Sequence, residues 1–132
     1  MMNYLSLSRK AEQFESLRWI QSKAMPRVRY AVRQPSLAQR IELTKRLHEL
    51  TLRHEFLAKG NELDQLEMTL ADLLMQKLFV EWGLGQLDGL DIDGAPATIE
   101  SLIEKGPEDL VAEIAAEVRH ECGLTDEERK NF

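Results

Sequence analysis

The chain has almost no cysteine: Cys122 stands alone, so no internal disulfide can form and a reducing compartment is the expected setting. No apolar run approaches the roughly 20 residues that a membrane span needs. The start, MMNYLSLSRKAEQ, turns polar too soon for a secretory apolar region. These absences together point to the cytoplasm. Reactive chemistry is missing too. No serine or cysteine is accompanied by the base and oxyanion donors that activate a nucleophile. His120 and Cys122 are two apart on a helical pattern, which sends them to different sides. The glycines are not followed by Lys-Ser/Thr, and their aspartate neighbours would repel a phosphate. Neither enzymatic activity nor a cofactor is expected, and no internal repeat or low-complexity stretch is present.

What is there fits one domain. A chain of 132 residues can bury a core without metals or disulfides. The net charge of −6 hides a split: residues 1–60 carry 12 Lys/Arg against 5 Asp/Glu, residues 61–132 carry 5 against 18. The two halves attract, so folding one onto the other cancels part of the charge. The sharper alternative is nucleic-acid contact through Arg27, Arg29, Arg33, Arg40 and Arg46. An acidic chain repels phosphate backbones, which favours the intramolecular reading.

The expected fold is mainly α, a small bundle built on an antiparallel helix hairpin (about 36–59 and 62–82). Residues 8–24 have helical spacing, with Phe14, Leu17 and Trp19/Ile20 apolar, Ser8 as N-cap and Pro26 forbidding continuation. They predict an N-terminal helix within 1–26 that can stand as an appendage. Residues 27–33 alternate, Val28, Tyr30 and Val32 against Arg27, Arg29 and Arg33, which reads as a short strand or arm. Its candidate partner is 86–92, giving a two-stranded β element (28–33 and 86–92). Ser36 caps the first hairpin helix and Gly60 closes it. Leu43, Leu47, Leu50, His54 and Leu57 form one stripe; Leu37, Ile41, Leu52 and Phe56 lie on a neighbouring face. His48 and His54 are six apart and do not share a face as a zinc pair must, so both read as packing or surface residues.

Asn61 is the expected N-cap of the second helix, which is apolar on two sides. Leu66, Leu70, Leu73 and Leu74 make one face; Met68, Ala71, Met75, Leu78, Phe79 and Trp82 make the other. The leucine face is expected to meet the Leu43/Leu47/Leu50/Leu57 stripe. The methionine-and-aromatic face is the candidate partner-binding surface, because Met adapts to varied apolar shapes. The alternative is that both faces are sandwiched within the molecule.

Beyond the hairpin, residues 83–132 combine a glycine-rich turn with acidic helices. Thr98 caps a short helix (99–105), Gly106 ends it, and Pro107 opens the next. Leu110, Val111, Ile114, Val118 and Cys122 are its buried stripe, and Gly123 stops it. Thr125 to Glu128 spells a further capping box. With Gly94 as the sixth residue of an EF-hand loop, Asp91, Asp93 and Glu100 fall on ligand positions. The first ligand position is then Gly89, which has no side chain to offer, so a plain Asp93-Gly94 turn is the competing reading.

Several points of wording carry a resemblance. They are Trp82, the Gly89-Leu-Asp-Ile-Asp-Gly94 turn, Thr98, Leu102, the Gly106-Pro107-Glu-Asp-Leu110 helix start, and the closing Glu128-Arg-Lys-Asn131. Residues 29–60 and 79–132, about two-thirds of the chain, resemble small helical proteins encoded among the morphogenesis genes of tailed phages and prophages, and among those the tail assembly chaperones. The resemblance implies a non-enzymatic role in the host cytoplasm: coating a long, hydrophobic, helical tape measure protein before the tail tube polymerises around it. Self-association into a homo-oligomer is compatible with that role.

Overall fold

Three consecutive residues, Tyr30, Ala31 and Val32, are each fully buried. The strand that carries them has a neighbour on each edge. The computed structural model describes residues 16–57 and 62–124, without the side chains of 54–57 and 62–64. In it β2 (Arg29–Gln34) lies between β1 (Ser16–Gln21) and β3 (Leu84–Asp88), antiparallel to both. The described residues also form α1 (Leu37–Leu57), α2 (Glu62–Gly83), a small hairpin of β4 (Asp91–Ile92) and β5 (Ala95–Pro96), α3 (Ile99–Lys105) and α4 (Glu108–Glu121). The fold is therefore mixed α/β, with the expected helix hairpin present but not a purely helical bundle.

β1 corrects the sequence reading. Residues 16–21 were expected within a helix and are a strand, paired with β2 from Ser16↔Gln34 to Gln21↔Arg29. SLRWIQ fits period two as well as it fits helical spacing: Leu17 and Trp19 lie on one face, Arg18 and Ile20 on the other. Trp19 and Ile20 favour strands, and an unpaired edge on β2 settles the competition. Residues 8–15 of that expectation lie outside the described residues, as do the Asn61 cap and the Thr125–Glu128 box. The expected pairing of 28–33 with 86–92 is found in part, as β2 with β3 from Arg29↔Asp88 to Val32↔Leu84 with an irregularity between Ala31 and Val32, while Asp91 and Ile92 pair with β5 instead.

The sheet's inner face, Tyr30 and Val32, packs on α4; α4 packs on α2, and α2 on α1. The shared core comprises Val28, Tyr30, Val32, Leu43, Phe79, Val80, Leu84, Leu102, Leu110, Ile114, Ala115, Val118 and Cys122. Burial pushes the Cys122 thiol up to about 11, as befits a small core hydrophobe. α2 approaches α4 so closely that a Cβ on Gly83 would lie 2.3 Å from Val118 Cγ1.

Local chemistry sets the helix ends. Gln39 N–H donates to Ser36 Oγ at 3.2 Å and Ser36 N–H donates to Gln39 Oε1 at 2.9 Å, a reciprocal cap on α1. Thr98 and Ser101 do the same for α3. Gly123 follows α4 with φ +71°, the left-handed conformation that favours glycine there.

One carboxylate ties the sheet to α4. Glu113 Oε1 accepts from Ser22 Oγ (3.1 Å), Lys23 N–H (3.1 Å) and Ala24 N–H (2.8 Å), and Oε2 accepts from Tyr30 OH (2.7 Å). Desolvation works to raise the Glu113 pKa, but the hydrogen bonds from Tyr30, Ala24, Ser22 and Lys23 together outweigh it and hold it below the usual carboxylate value. Arg18 adds ion pairs to Glu117 (3.0 Å) and Glu121 (2.5 Å) on the same helix. Because the Glu113 pKa is lowered on folding, its contribution is complete above the unfolded value near 4.5 and is lost as pH falls through the folded one. Glu113→Gln is expected to cost about 1–3 kcal/mol at pH 7, by leaving buried donors short of an acceptor. Urea unfolding at neutral and acid pH checks this: the gap from the parent chain should narrow as the parent carboxylate protonates.

Candidate partner-binding surface

Toward the tip of the hairpin the core runs out. Leu43, Ala71, Phe79 and Val80 are buried, but from His48 to Leu70 no described side chain is. Of the eight large apolar residues exposed among those described, seven lie on this hairpin. On α2 they are Leu66, Met68, Leu70 and Leu73, with the three leucines 67%, 45% and 51% exposed. On α1 they are Leu37, Ile41 and Leu52, each half exposed or more. Scattered exposed leucines are ordinary, and their concentration on one supersecondary unit is what sets this hairpin apart.

The two faces of α2 are used the opposite way round from the expectation. Phe79 is buried in the core beside Leu43, with Leu47, Met75, Leu78 and Trp82 packed against that cluster. The groove between the helices is lined by Thr44, Leu47, His48 and Thr51 of α1 and by Met68, Asp72, Met75 and Phe79 of α2. So the methionine-and-aromatic face meets α1, and the leucine face turns outward. Among the residues proposed for partner binding, Ala71 and Phe79 are buried, Met75, Leu78 and Trp82 half-buried, and Met68 exposed. The physical reason is area. Phe and Trp remove more surface from water than leucine does, and Met fills the irregular space around them. Arg119 also stacks its guanidinium over Phe79 at 5.1 Å. Leu74 leans the other way, lining a hollow with Leu73, Lys77, Ile103 and Val111.

The five arginines considered for nucleic acid do not gather. Arg29 lies over the Trp19 ring at 4.6 Å, opposite Asp88 in the sheet. Arg27 is in the β1–β2 turn and Arg33 near the far end of β2. Arg40 is exposed on α1, and Arg46 pairs with Glu42 at 3.6 Å. Arg18 joins the two differently charged halves through ion pairs to Glu117 and Glu121.

The candidate calcium residues are placed by a turn. Asp93 (φ +55°) and Gly94 (φ +80°) are the two-residue loop joining β4 to β5, the type I′ geometry that Asp-Gly favours. Asp93 Oδ2 accepts from Lys105 Nζ at 2.6 Å, and Asp91 sits in the ladder opposite Pro96. Among the described residues no three His, Cys, Asp or Glu side chains converge as a metal site. The EF-hand reading of Asp91, Asp93 and Glu100 is thereby corrected to a β-hairpin. Among the described residues, likewise, no helix is long and apolar enough to cross a membrane.

Sequence reasoning missed the exposed flank of α1 and the role of Glu113. The signal for the second was present, as Glu113, Glu117 and Glu121 recur every four residues on α4. Comparison with protein-family models, curated proteins and solved structures finds no match to this chain. A ligand that bound the folded chain at Asp93 would raise its melting temperature by linkage. Millimolar calcium is expected to leave that temperature unchanged to within about 1 °C, read by circular dichroism with a chelator control.

Proposed function

We propose that this protein is a non-enzymatic chaperone or adaptor that holds a hydrophobic helical partner on its α1–α2 hairpin. The observation that carries the reading is the placement on that hairpin of seven of the eight large apolar residues exposed among those described. Leu66, Leu70 and Leu73 recur at four- and three-residue steps, the spacing with which one helix receives another. Covering each leucine contributes on the order of 1–2 kcal/mol before the costs of ordering the complex. The resemblance to tail assembly chaperones of tailed phages and prophages supplies the partner class, a tape measure protein met in the host cytoplasm. A net charge of −6 suits such a role, since it keeps an apolar surface dispersed between encounters.

Co-expression with a tape measure protein and affinity capture tests this. The parent chain is expected to capture it, and Leu66→Asp/Leu70→Asp to lose at least about tenfold of that capture, a loss of roughly 1.4 kcal/mol, with an unchanged helical spectrum. Undiminished capture by the double variant would remove the leucine surface from the account. A variant at Phe79 would unfold the core instead and is not informative. Nucleic-acid binding through the basic half is the second reading, favoured by Trp19 lying exposed beside Arg29 on the outer sheet face. Because the five arginines are dispersed, little or no gel shift is expected with single-stranded oligonucleotides at low salt and micromolar protein, and a strong, salt-sensitive shift would promote this reading over the first.

A further inference from the structure

The outer flank of α1 is not uniformly apolar. Leu37, Arg40, Ile41, Thr44, Lys45 and His48 line one shallow open depression along that single helix, and Leu52 extends the row by another turn. Their spacing places two cations among three exposed apolar side chains. Arg18 is paired with Glu117 and Glu121, Arg46 with Glu42 and Lys105 with Asp93. Arg40 and Lys45 have no carboxylate partner among the described residues, in a chain where acids outnumber bases 23 to 17. An apolar row bordered by unpaired positive charge is complementary to an apolar row bordered by negative charge.

We infer that this flank of α1 selects an acidic amphipathic helix as its occupant. The inference rests on the hairpin-binding reading and adds the polarity of the partner. Leu37 to Leu52 spans about 22 Å at 1.5 Å per residue, so a partner helix of about 15 residues matches the row. Its apolar residues would meet Leu37, Ile41 and Leu52, and its Glu or Asp side chains Arg40 and Lys45. A nucleic acid would leave those three apolar side chains without a role. An anionic bilayer would meet them as well, but it would also repel the excess of acidic groups on the rest of the chain.

The test uses the full chain and two labelled synthetic peptides of about 18 residues, four to five helical turns. Both carry leucines at helical spacing; one is flanked by Glu, its twin by Lys. Fluorescence anisotropy at low salt is expected to show the Glu peptide binding about tenfold tighter, an advantage that shrinks as salt rises. Arg40→Glu/Lys45→Glu should erase or reverse the preference while leaving the circular dichroism spectrum unchanged. Equal affinity for the twins, or a preference retained in that variant, overturns the inference and leaves the hairpin surface standing. Binding of neither peptide also overturns it, as does tighter co-sedimentation with phosphatidylglycerol vesicles than with the Glu peptide. Failure to capture a tape measure protein while the Glu peptide still binds would remove the proposed partner class and leave the charge preference intact.

Discussion

The architecture depends on a carboxylate held by hydrogen-bond donors from a neighbouring element. Glu113 gathers the β1–β2 turn and the Tyr30 hydroxyl onto α4, and in doing so fixes how the sheet sits on the helix. Glu117 and Glu121 continue the row to Arg18, while Leu110, Ile114, Val118 and Cys122 occupy the adjoining row in the core. One helix thus presents an acidic edge to β1 and an apolar edge to α2. A partly buried carboxylate is costly unless its acceptor sites are filled. Here the donors that fill them come from residues 22–30, so sheet and helix specify each other.

With the sheet, α3 and α4 satisfied, the hairpin is anchored at one end. The C-terminal half of α2 carries Phe79, Val80 and the close contact of Gly83 with Val118, then runs without a loop into β3. The early part of α1 contributes Leu43. Past those contacts the two helices have each other and little else among the described residues, and the Leu66/Leu70 stripe of α2 remains open. The outward leucines are a consequence of anchoring: a helix apolar on two sides and held at one end by one of them must expose the other.

Much of this could be read from the residues, and the failures are specific. Helix limits followed from Ser36, Thr98, Gly106 and Gly123, because capping is local chemistry. The inward stripe of α4 followed from its spacing. The choice between the two faces of α2 did not, since periodicity says that a helix has two apolar sides but not which one its neighbours supply area to meet. β1 was missed for a related reason. Leu17, Trp19 and Ile20 satisfy both a helical and a strand pattern over so short a span, and the deciding partner, β2, acts through backbone pairing. The burial of Ala31 between two alternating residues accompanies its place in a central strand, and it belongs to the folded chain.

Charge and apolarity have exchanged their usual places in parts of this molecule. Arg18, Glu113, Glu117 and Tyr30 make polar contacts where the sheet meets α4, and leucines stand in water on the hairpin. That arrangement is tolerable for a lone chain because like-charged copies repel, and because the leucines sit on a projecting unit apart from the core. It also separates two demands. The exposed stripes and the Glu113 clasp share no residue, so each can change without touching the other. Substitutions in two regions so separated are expected to act on stability independently of each other.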